Sequence, residues 1–149
     1  MDALDNQRQI WQRVRSPEPP REELDLRALA LGARQTEAAL GRAAVFLGGS
    51  LRQQVLTLAR DTGEEEASLR GIHWLSTGKF LPHKPLPAPG GSARDLLREC
   101  YFRCLQAQGE YTARTLDPRF GGCFQRLAQQ NQARCLAIVR ILGTWEDRR

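Results

Sequence analysis

Apolar residues spaced alternately three and four apart mark four long stripes along this chain, the spacing that keeps one helix face turned toward a bundle core. The first runs Leu26, Ala30, Ala33, Glu37, Leu40, Ala44, Leu47, and the second Leu51, Val55, Leu58, Thr62, Glu65, Leu69, Ile72. The third is Leu97, Cys100, Cys104, Ala107, Tyr111, and the fourth Phe120, Phe124, Leu127, Asn131, Arg134, Ile138, Ile141, Trp145. No run alternates with period two for long, so strands are not expected.

Prolines, glycines and small polar caps set the limits. They predict helices from about Glu22 to Leu47, stopped by Gly48-Gly49, and from a Ser50 cap to Thr77, stopped by Gly78. Two more are expected from a Ser92 cap to near Asp117-Pro118, and from between Pro118 and Gly121 to Trp145. A weaker stripe of Leu4, Ile10, Trp11 and Val14 predicts a short extra helix, ended by Ser16-Pro17-Glu18-Pro19-Pro20. Residues 1–20 therefore read as an N-terminal helix with a proline-rich linker, and 21–149 as one all-α four-helix bundle. The joints at Gly48-Gly49 and Asp117-Pro118 are tight, which predicts two antiparallel hairpins. The stretch 79–91, rich in Pro and Gly, is long enough to cross the end of a bundle.

Every stripe breaks near its middle. The breaks are Glu37 in the first, Thr62 and Glu65 in the second, Cys104 in the third, and Asn131 and Arg134 in the fourth. Burying a charge without a partner is costly, so polar residues usually avoid such seams. Either the seams are rotated by one position and these residues sit at a wet edge, or they meet in the bundle centre.

Composition narrows the class. A chain of 149 residues, 41% hydrophobic and 26% charged, is one globular domain rather than a disordered segment. No apolar run approaches the roughly 20 residues that span a bilayer. The start, Met1-Asp2-Ala3-Leu4-Asp5, is acidic without the apolar core of a signal, so a cytoplasmic location is expected and no membrane partner. The four cysteines are then expected as free thiols. The net charge of +5 raises nucleic acid as a partner. The basic residues, however, are spread over every segment and alternate with Asp and Glu, whereas a groove binder clusters them. Nucleic acid is not expected.

Several stretches together resemble a known family. Leu69-Arg70-Gly71-Ile72-His73-Trp74-Leu75-Ser76-Thr77-Gly78 is similar to the segment closing helix two in small bacterial rubrerythrin-related members of the ferritin-like superfamily. Glu110-Tyr111, with Asp117-Pro118-Arg119-Phe120-Gly121, resembles their second hairpin, and Cys135 to Gly143 their final turns. The resemblance covers roughly residues 24–143. It implies a ferritin-like bundle of two hairpins joined by a long crossover, holding two irons on a Glu, a Glu-x-x-His, a second Glu and a second Glu-x-x-His. Here Glu37 stands at the first ligand position. The motifs are replaced by Thr62-Gly63-Glu64-Glu65 and Asn131-Gln132-Ala133-Arg134, and the helix-three glutamate by Cys104. Two carboxylates and a permanent cation do not match what two divalent ions need, because arginine repels metal and cannot be deprotonated to bind it.

The expectation is a degenerate, non-catalytic structural or interaction protein with no cofactor, in which Arg134 answers Glu37 and Glu65. The alternative is a rubrerythrin-like metal or redox protein using iron or another divalent metal at Glu37, Glu65 and Cys104. The resemblance further implies a homodimer, and it names no other protein partner. Cys100 and Cys104, one turn apart, with Cys123 and Cys135, suit apolar filling better than zinc, which prefers short loop spacings. His73 and His83 lie away from the seam breaks, and no phosphate loop is present.

Overall fold

The computed structural model describes residues 25–147, with side chains as far as Trp145; the expected N-terminal helix lies outside the described residues. Four helices follow: α1 (Arg27–Val45), α2 (Gly49–Thr77), α3 (Ala93–Thr112) and α4 (Gly121–Asp147). The predicted seams are the buried faces. Leu40, Val55, Leu69, Leu97, Phe124 and Ile138 are each fully buried, as apolar residues at three–four spacing require. Helix α1 packs on α2 and α3, and α3 on α4, whereas α2 and α4 come close at few points.

The core falls into two clusters, and their membership fixes the direction of every helix. One gathers Leu40 and Leu47 late in α1, Leu51 and Val55 early in α2, Leu96 and Leu97 early in α3, and Ile138 and Ile141 late in α4. The other gathers Leu26 and Ala30 before and early in α1, Leu69 and Ile72 late in α2, Tyr111 late in α3, and Phe124 and Leu127 early in α4. Helices α2 and α3 are therefore parallel, and α1 and α4 run opposite to both. The connection 78–92 does not cross an end of the bundle as expected; it has to travel the length of α3, about 30 Å. An extended chain of its size reaches up to roughly 50 Å, so the span is easy.

That crossover is fastened at several points. Leu81 is buried in the second cluster. Arg34 of α1 donates to the Lys84 carbonyl at 2.5 Å, and Arg70 of α2 donates to His83 Nδ1 at 2.8 Å. Arg70 also pairs with Glu66 at 2.9 Å, with Arg34 at 3.8 Å on the same carboxylate.

The helix ends depart from expectation at three places. Ser50 lies inside the first turn of α2; the cap position is Gly48, and Gly49 with φ 58° lets the helix begin earlier. The carbonyls left open at the end of α1 are instead taken by Arg52 Nε, 3.1 Å from Ala44 O and 2.8 Å from Leu47 O. Helix α1 begins after Leu26 rather than near Glu22. Helix α3 stops at Thr112, and turns fill 113–120. Ser92 is the cap foreseen, accepting from Asp95 N at 3.1 Å. Asp117 shapes the second joint, its Oδ1 accepting from the backbone of Arg119 and Phe120 at 2.8 Å each.

Gly121 makes this turn feasible. A Cβ there would collide with the Thr115 carbonyl, whereas one on Gly122 meets nothing within 4 Å. Gly121→Ala should therefore lower stability by about 1–3 kcal/mol, the usual cost of overpacking. Gly122→Ala should leave it unchanged or raise it by up to about 1 kcal/mol, since alanine favours helix. Urea midpoints of the two variants check both statements.

Candidate functional site

Seam breaks on α2 and α4 meet in the bundle centre. Glu65 projects from α2, and its Oε1 accepts from Arg134 Nη1 at 2.6 Å and Asn131 Nδ2 at 2.9 Å, both from α4. Its Oε2 accepts from the Tyr111 hydroxyl of α3 at 2.7 Å. Arg134 Nη1 also reaches Asn131 Oδ1 at 3.1 Å and lies 4.0 Å from Cys104 Sγ, while Asn131 Nδ2 donates a second time, to Leu127 O at 2.9 Å. Glu65 and Arg134 are 2% and 3% exposed, so this pair is cut off from bulk screening. Spacing explains why they converge: Asn131 and Arg134 are three apart on one helical face, and their hydrogen bond holds the guanidinium toward α2.

The surroundings keep the charge pattern fixed. Burial works against the Arg134 charge, but Glu65 beside it outweighs this and raises the guanidinium pKa further. Burial, then the Glu65 charge and hydrogen bond, push the Tyr111 phenol well up, so it stays a neutral donor. Burial also pushes the Cys104 thiol up to about 11, although Arg134 pulls the other way. Cys100 is pushed to about 12 by burial and by the neighbouring Cys104. These groups offer no thiolate at neutral pH, and nucleophilic chemistry at a cysteine needs one.

Not every expected partner joins. Glu37 is only partly buried and makes no hydrogen bond or ion pair among the described residues. Its carboxylate lies against Gly63 of α2, where a Cβ would stand 3.2 Å from its Oε1. Burial raises its pKa, Glu66 raises it further, and Arg34 lowers it. The buried residue at this level of α1 is Thr36, one position away, while the rest of the expected α1 seam, Leu26, Ala30, Ala33, Leu40, Ala44 and Leu47, is buried. Thr62 is fully buried, but its hydroxyl returns to the Leu58 carbonyl at 2.7 Å rather than serving Glu65. Sequence reasoning placed Tyr111 on the seam without giving its hydroxyl a role. A buried tyrosine hydroxyl usually finds a partner, and that was the available signal.

A cavity of about 320 Å³ lies between α1 and α3 and ends on this network, with Thr36, Thr62, Glu65, Cys104, Asn131 and Arg134 on its inner side.

The chain matches no protein-family model, no curated protein and no solved structure.

Among the described residues, no three His, Cys, Asp or Glu side chains gather as a metal ion requires. Cys100, Cys104 and Cys135 are buried and Cys123 is exposed, all of them unpaired. Among the described residues, no helix is long and apolar enough to cross a membrane.

Two measurements check this description. Arg134→Leu strands the Glu65 carboxylate and should cost about 3–5 kcal/mol of unfolding free energy at neutral pH. Adding Glu65→Gln should restore much of it, while adding Glu37→Gln should not, because Glu37 stands outside the network. With a thiol reagent near pH 8, Cys123 should label quickly in the native protein. The other three thiols should label only after denaturant is added; fast native labelling of Cys104 would contradict its raised pKa.

Proposed function

We propose that this protein is a degenerate ferritin-like bundle, a non-catalytic structural or interaction protein in which an ionic network stands where relatives of the fold hold two irons. The observation that carries this reading is the Arg134 guanidinium 2.6 Å from Glu65, with Asn131 and Tyr111 on the same carboxylate. The helix order supports it too, since parallel middle helices joined by one long crossover form the arrangement associated with ferritin-like folds.

The residues present do not fit an iron pair. Two divalent ions need several carboxylates and neutral imidazoles. The centre offers one buried carboxylate, already saturated by three donors, with a permanent cation beside it. Glu37, the other candidate ligand, faces Gly63. Rubrerythrin-like metal or redox chemistry on Glu37, Glu65 and Cys104 is the competing reading, and it requires Glu65 to give up Arg134. An interaction role suits the apolar side chains that α3 and α4 leave exposed, Phe102, Leu105, Leu136 and Val139. A homodimer in the cytoplasm, where free thiols persist, belongs to this proposal.

Metal content separates the two readings. Protein expressed with iron, manganese and zinc should carry well below stoichiometric metal and show no oxo-bridged absorption. An iron pair that survives chelator would overturn the proposal.

A further inference from the structure

We infer that the cleft bounded by α1, α2 and the crossover is a binding site for a small organic carboxylate, whose acidic head meets Arg34, Arg70 and Lys84 and whose apolar body lies on Leu31 and Pro82. The cleft holds about 200 Å³ and shares no lining residue with the cavity between α1 and α3. Its floor is apolar, made by Ala30, Leu31, Leu81 and Pro82. Leu31 is 44% exposed, so this floor is open to a ligand arriving from solvent.

The cations around the floor have donors to spare. Glu66 Oε1 takes Arg70 Nε at 2.9 Å and lies 3.8 Å from Arg34 Nε, so one carboxylate oxygen draws both guanidiniums to the same spot. Arg34 Nη2 donates to the Lys84 carbonyl, and Arg70 Nη2 to His83 Nδ1. Fastening the crossover thus leaves Nη1 of each arginine, and the Lys84 ammonium, without a hydrogen bond or ion pair among the described residues. Neither Nη1 is sealed from the surface as Arg134 Nε is, and Lys84 is exposed. A carboxylate can take hydrogen bonds from two guanidinium edges at once, and each is strengthened by charge.

Charge sets the valence of the ligand. Arg27, Arg34, Arg70 and Lys84 line the cleft, with Glu66 as the carboxylate among the lining residues. Two more carboxylates act from its border: Asp25 pairs with Arg27 at 3.4 Å, and Glu37 stands close enough for the Arg34 charge to act on it. Four cations against three carboxylates leave one positive charge unanswered, which a monoanion completes and a dianion exceeds. Ion pairs this near water contribute modestly, so apolar contact with the floor has to supply the rest of the affinity. The small volume limits the body to a single ring.

Benzoate is the probe, with benzamide as its uncharged isostere, acetate as the head without a body, and phenyl phosphate as the dianion. In the ¹⁵N-labelled full chain, benzoate should shift the amide signals of Leu31, Arg34, Leu81 and Lys84 saturably, and added salt should weaken it. Benzamide, acetate and phenyl phosphate should each bind roughly fivefold more weakly or worse, the size of one exposed ion pair. Lys84→Met removes an ammonium that has no partner while keeping the carbonyl that Arg34 uses. That variant should unfold at the parent's temperature and bind benzoate roughly fivefold more weakly. Leu31→Glu, at an exposed position, should abolish the response in protein that is still folded. The inference is overturned if benzoate leaves these four amides unmoved, if any of the three comparison compounds binds as tightly, or if folded Lys84→Met binds benzoate unchanged. The readout lies on the far side of α1 from the ionic network, so the result is separate from the metal content of the protein.

Discussion

A carboxylate and a guanidinium buried together at the centre of four helices set the terms for the rest of this structure. Glu65 and Arg134 come from helices that otherwise come close at few points, so the ion pair with Asn131 is the main polar tie between α2 and α4. Such a pair repays its desolvation only when geometry is good and the remaining lone pairs are filled. Both conditions hold for the carboxylate, through Asn131 and Tyr111, which bring three helices onto one side chain. The guanidinium is less completely served, its Nε being buried without a hydrogen-bond partner.

The two apolar clusters sit on either side of this centre and are held in different ways. One is closed by the short α1–α2 joint, where Arg52 takes the last carbonyls of α1. The other is closed by the α3–α4 turns, by Asp117, and by Leu81 from the crossover. Parallel α2 and α3 require a connection along the side of the bundle, and Arg34 and Arg70 hold that connection against α1 and α2. Arginines that looked like dispersed surface charge therefore include several with structural work: Arg34, Arg52 and Arg70.

Glycine and alanine make the differences between neighbouring sites. Gly63 gives the Glu37 carboxylate room to lie across α2, outside the network. Gly32, Ala33 and Ala107 keep a cavity open beside the network instead of closing it with side chains. One charged pair is thereby buried and still borders a cavity.

Periodicity alone determined the four helices and their buried faces, and it marked Thr62, Glu65, Asn131 and Arg134 as seam positions; the structure buries all four. It could do so because three–four spacing reports which face a residue shares with its own neighbours, and burying that face drives bundle formation. It also set the Ser92 cap and the Gly78 stop, which depend on local backbone geometry. The pairing of Arg134 with Glu65 was expected, but only the tertiary structure decided which other polar groups meet. Successive residues are about 100° apart on a helix, so at one level of α1 Thr36 is buried while Glu37 lies toward Gly63. Partner choice further depends on the axial level at which separate helices pass each other, and no spacing within one helix encodes that. Tyr111 on Glu65, Thr62 turned back on Leu58, the path of the crossover and the cavity between α1 and α3 all belong to that second kind of information.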